Sequence, residues 1–63
     1  MDSKQIDRAM RERLPVVCDG IRYERIIEYV SWYDDNGKRH LSAVLLANNW
    51  TNRVPAQKVN LAE

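Results

Sequence analysis

Sixty-three residues admit one domain, 1–63, with one small core, and a chain of this size buries only about 60% of the surface its unfolded form exposes. A single cysteine, Cys18, excludes an internal disulfide, and one Cys with one His falls short of the ligand sets of structural zinc. Ten Lys and Arg against nine Asp and Glu leave a formal charge of +1, too balanced to draw the chain onto nucleic acid or an anionic membrane.

Residues 2–14 are expected to form one amphipathic helix. Asp2 with Gln5 three residues later matches a capping box. Ile6, Ala9, Met10 and Leu14 make a narrow apolar stripe, and Arg11 and Arg13 suit the C-terminal end of the dipole. Pro15 is expected to stop the helix, because the residue before a proline avoids helical geometry. The segment Met1–Gln5 lacks the apolar stretch of a secretory signal, and no apolar run nears the ~20 residues of a membrane span, so the chain reads as cytoplasmic.

Val16-Val17-Cys18 then meets Asp19-Gly20, a two-residue hairpin signal that sets Cys18 against Ile21 and Val16 against Tyr23. The strand opened by Ile21 runs to Tyr33, long enough to need a bend, which Arg25 marks as a bulge or as a snorkelling side chain. A second hairpin signal, Asn36-Gly37, follows. A two-residue loop there sets Tyr29 against Val44, Ile27 against Leu46, Val30 against Ala43 and Trp32 against Leu41. Alternation then assigns Val16, Cys18, Ile21, Tyr23, Ile27, Tyr29, Val44 and Leu46 to the inner face. After Ala47, residues 48–52 form a turn, Arg53-Val54 a short strand, Pro55–Lys58 one helical turn and Val59–Leu61 a closing strand.

The segment Val54-Pro55-Ala56-Gln57-Lys58-Val59-Asn60-Leu61 resembles the C-terminal signature of SH3 domains, where an apolar residue, a proline, a 3₁₀ turn and a Val-x-Leu strand complete a barrel. The resemblance implies a small SH3-like β-barrel over residues 16–62, built of about five short antiparallel strands. Polyproline binding is not implied. Lys58 stands where peptide-binding members carry a Tyr, neither Trp32 nor Trp50 falls at the groove position, and no Ala-Leu-Tyr-Asp-Tyr stretch precedes the barrel. Leu14-Pro15-Val16-Val17-Cys18-Asp19-Gly20-Ile21-Arg22-Tyr23 also looks similar in style to small uncharacterised phage and prophage proteins of bacteria, which implies no activity.

Catalysis has few candidates. A nucleophile needs a base within reach, yet Cys18 belongs to the inner face and His40 to the hairpin tip, opposite Tyr33. Asp34-Asp35-Asn36-Gly37 begins like a calcium loop but lacks the alternating oxygen ligands and the Glu at the twelfth position. No catalytic residue, metal or cofactor is therefore expected.

Two surfaces remain. The outer hairpin face, Val30, Trp32, Leu41, Ala43 and Leu45, holds more apolar area than the narrow helix stripe can cover. It is the expected interface for a protein partner or a second copy, which makes the chain a non-catalytic interaction or assembly module. The alternative is a nucleic-acid-binding small barrel in which bases stack beside Tyr33, Arg39, Trp50 and Arg53, with His40 nearby.

Overall fold

The computed structural model describes residues 1–62. Helix α1 spans Ser3–Arg11. Its N-terminus is the capping box expected from sequence: the Gln5 amide donates to Asp2 Oδ1 at 2.9 Å, and the Asp2 amide donates to Gln5 Oε1 at 3.0 Å. The C-terminus falls earlier than the predicted residue 14. Arg13 adopts a left-handed conformation, φ 54°, its amide donates to the Met10 carbonyl, and the Leu14 amide donates to the Ala9 carbonyl at 2.9 Å. That pair of bonds is a Schellman motif. The left-handed turn, rather than Pro15, ends the helix.

Six strands follow, in place of the five expected: β1 (Val16–Cys18), β2 (Ile21–Tyr23), β3 (Arg25–Tyr33), β4 (Arg39–Leu46), β5 (Thr51–Pro55) and β6 (Asn60–Leu61), with a 3₁₀ turn over Ala56–Lys58 before the last. They form two three-stranded antiparallel sheets, β2-β1-β6 and β3-β4-β5. The fold is mainly β with one N-terminal helix, but no ladder joins the sheets and they do not close into a barrel. The long strand expected from Ile21 to Tyr33 divides at Glu24: β2 stays with β1 while β3 pairs with β4. A register shift between Ile26 and Glu28 adds a bulge at Ile27, just beyond the bend expected at Arg25.

The two hairpin signals have different outcomes. Asp19 and Gly20 both take positive φ, 51° and 78°, the conformation of a type I′ turn. The register is the expected one, Val16 against Tyr23 and Cys18 against Ile21. At Asn36-Gly37 only the glycine has positive φ, 79°. The Gly37 amide donates to the Asp34 carbonyl, and the Asp34 amide donates to the Lys38 carbonyl. Asp34 Oδ1 accepts from the amides of both Asn36 and Lys38 at 2.9 Å. This is a type I turn closed by a left-handed glycine, with one more residue in the loop than a I′ turn.

That extra residue moves the whole ladder. Tyr29 now faces Ala43, Val30 faces Ser42, Ser31 faces Leu41 and Trp32 faces His40. A one-residue slip exchanges the faces of a strand, so the expected inner and outer sets of β4 trade places. Ala43 and Leu45, assigned to the outer face, are fully buried. Val44 and Leu46, assigned inward, lie on the outer side. Ile21 and Ile27, also assigned inward, are 48% and 39% exposed.

One core lies between the sheets. It takes Ile6 and Ala9 from α1, Val16, Cys18 and Tyr23 from the first sheet, and Ile26, Ala43, Leu45 and Val54 from the second, with Ala56 and Val59 from the 3₁₀ segment. Met1, Met10, Leu14, Tyr29 and Leu41 pack against it. The helix stripe thus covers the face that carries Ala43 and Leu45. The opposite face of β3-β4-β5 is left for solvent or a partner.

Candidate functional site

Register decides what that second face presents. Residues with the parity of Ser42 and Val44 point away from the core: Arg25, Glu28, Val30 and Trp32 on β3; His40, Ser42, Val44 and Leu46 on β4; Thr51, Arg53 and Pro55 on β5. Ile27 is 39% exposed at the bulge. Val30, Val44 and Leu46 are half-buried yet do not join the core. The result is an apolar stripe of Ile27, Val30, Trp32, Val44, Leu46 and Pro55. It is bordered by one exposed anion, Glu28, and one exposed cation, Arg53, on the two edge strands.

The tip of the hairpin carries a connected set of polar and aromatic contacts on this face. Trp32 stacks on His40 with ring centroids 4.5 Å apart and planes 23° from parallel. The indole Nε1–H donates to Ser42 Oγ at 3.0 Å, which satisfies the buried serine. The His40 imidazole lies 2.7 Å from Asp34 Oδ2 through Nε2; an ionised carboxylate only accepts, so Nε2 carries the proton. The bond from His40, with the Lys38 and Asn36 amides, holds the Asp34 carboxyl below the usual aspartate range. Asp34 therefore uses one oxygen to shape the turn and the other to orient His40, whose ring props Trp32 across the stripe.

The predicted interface residues separate. Val30 and Trp32 belong to the outer face; Ala43 and Leu45 are core; Leu41 packs against the core from the inner side. Sequence reasoning missed Val44, Leu46 and Pro55 as surface residues, because the register it used put Val44 and Leu46 inside. The missed signal was Asp34 itself: Asp at the first turn position with Gly at the fourth is the type I preference.

The residues proposed for nucleic acid also separate. Tyr33, 68% exposed, pairs with Arg39 at the tip, and the Arg39 Nε–H donates to Ser31 Oγ at 2.9 Å. Trp50 sits at the other end of the sheet, where its ring meets Tyr23 edge-on at 5.7 Å, and the side-chain amide of Asn52 donates to the Tyr23 hydroxyl. The length of β4 from His40 to Leu46, roughly 20 Å of strand, separates the two groups. Arg53 lies on the opposite face from Tyr33 and Arg39. The four form no common surface.

No family model, curated protein or solved structure matches this chain.

Chemistry elsewhere is sparse. Cys18 is buried, and desolvation, then the neighbouring Asp19 charge, push its thiol pKa upward, the reverse of what an attacking thiolate needs. His40 pairs with Asp34 rather than with any hydroxyl or thiol nucleophile. Among the described residues no group of three or more His, Cys, Asp and Glu side chains could hold a metal ion, and no helix is long and apolar enough to cross a membrane. An open depression of about 460 Å³ lies at the β2–β3 joint, lined by Pro15, Arg22, Tyr23 and Glu24. It offers one cation, one carboxylate and an apolar floor.

Proposed function

We propose that this protein is a non-catalytic interaction module that engages a protein partner through the outer face of the β3-β4-β5 sheet. The observation that carries the reading is the apolar stripe of Ile27, Val30, Trp32, Val44, Leu46 and Pro55, which lies on the side of the sheet away from the core. Contiguous apolar surface on a small domain marks an interaction site more often than an accident of composition. Trp32 supplies the kind of large, rigid, amphipathic side chain that concentrates binding energy, and its orientation is already set by Ser42 and His40. Little conformational entropy would remain to be lost on binding.

A photoreactive benzophenone side chain placed at Val30, with a control at exposed Arg22 on the other sheet, tests the reading in cells. The expected result is a discrete polypeptide adduct from position 30 and none from position 22. Equal labelling from both positions, or none from position 30, would overturn it.

A further inference from the structure

The two exposed charges that border the stripe, Glu28 and Arg53, limit what can sit on it; the half-buried Arg25 lies one row away, across Leu46 from Thr51. Glu28, Val44 and Arg53 lie in one row across β3, β4 and β5. Neighbouring strands are about 4.8 Å apart, so the acid and the base stand at opposite edges with an apolar residue between them. Both are exposed, and neither joins an ion pair among the described residues. The next row sets Val30 and Pro55 at the two edges with Ser42 between them.

Such a face is complementary to itself. A twofold axis laid along β4, parallel to the strands, carries β3 of one copy over β5 of the other while keeping every row in place. Glu28 then meets Arg53 of the second copy at both edges, Val44 meets its own symmetry mate on the axis, and Val30 packs against Pro55. The strands of the two copies run within the usual ~30° of each other, as in aligned sheet packing, and the interface is isologous, as in most homodimers. A perpendicular axis in the same plane would instead stack each strand on its own counterpart, with Glu28 near Glu28.

We infer that a second copy of this chain is the occupant of the outer face, paired about an axis along β4 with reciprocal Glu28–Arg53 contacts. The inference rests on the interaction reading above and names its partner. Three strands over the length of the stripe offer on the order of 400 Å² per copy, at or below the small end of specific interfaces. The dimer is accordingly weak and concentration-dependent.

Sedimentation equilibrium of the full chain across micromolar to millimolar concentrations tests this, with circular dichroism to verify that each variant is folded. Wild-type protein is expected to dimerise reversibly. Glu28→Arg and Arg53→Glu alone each place like charges together at both edges and are expected to weaken the dimer at least about tenfold. Mixing the two single variants brings opposite charges together again at both edges of the mixed interface, so the mixture is expected to regain wild-type affinity as a heterodimer. Recovery in the mixture supports the proposed axis; single variants that dimerise like wild type overturn it. A wild-type chain that stays monomeric throughout overturns the self-pairing alone if position 30 still crosslinks to a different polypeptide in cells, and overturns the interaction reading as well if position 30 gives no adduct.

Discussion

The Trp32 indole and the His40 imidazole lie face to face, 4.5 Å between centroids, although the hairpin signal in the sequence sets each of them against a different residue. The stack exists because Asp34 draws one extra residue into the loop and slides β4 by one position. Aromatic pairs of this kind contribute about 0.5–1.5 kcal/mol beyond area burial. His40→Ala is therefore expected to lower the unfolding free energy measured in urea by about 0.5–1.5 kcal/mol and to shift tryptophan emission to the red as Trp32 loses its cover.

Turn type makes a sharper test of register. Gly37 has φ 79° with open space where a Cβ would be built, so Gly37→Ala meets no clash and costs only the left-handed backbone, about 1 kcal/mol. Asn36 has no positive φ, and Asn36→Ala is expected to be nearly neutral. In a I′ turn both substitutions would be costly. Chemical denaturation of the two variants side by side distinguishes the cases.

Arg13 holds the left-handed position of a Schellman motif with a side chain that disfavours it. Arg13→Gly relieves that strain and is expected to stabilise the protein by about 1 kcal/mol. For a domain of this length such a gain raises the melting temperature by several degrees, readable by thermal circular dichroism.

Acid should loosen the hairpin tip. Asp34 has a folded pKa below its ordinary value, chiefly through His40 and then the Lys38 amide. A depressed carboxylate contributes stability that is full above the unfolded pKa and is lost as pH falls from there through the folded value. Melting temperature should therefore fall as pH drops below about 4, the ordinary aspartate value, and Asp34→Asn should flatten that part of the profile. A variant with the same low-pH slope as wild type would remove Asp34 as the cause.

The exchange of faces on β4 predicts opposite behaviour for neighbours. Leu45 is fully buried, and Leu45→Ala should cost about 2–5 kcal/mol, much or all of the margin of so small a domain. Val44→Ser, one residue away and half-buried outside the core, should leave the fold intact. Soluble expression and the near-ultraviolet spectrum of the two variants check this.

Local chemistry was legible where it was closed within a few residues. The Asp2–Gln5 capping box, the Asp19-Gly20 turn with its register, the 3₁₀ turn after Pro55 and the free buried Cys18 all follow from side chains acting on backbone close by. Length and apolar content also dictated that a helix and short antiparallel strands would share one core, because the apolar residues suffice for no more. Which face of β4 joins that core is fixed only in three dimensions. A β-strand alternates with period two, so one residue more or less in a loop reverses every side chain beyond it. Both faces of this hairpin are apolar enough to be buried, which left composition unable to choose. Two bonds that Asp34 Oδ1 accepts from the turn amides made the choice, turning Ala43 and Leu45 inward and leaving Val30, Trp32 and Val44 on the face away from the core.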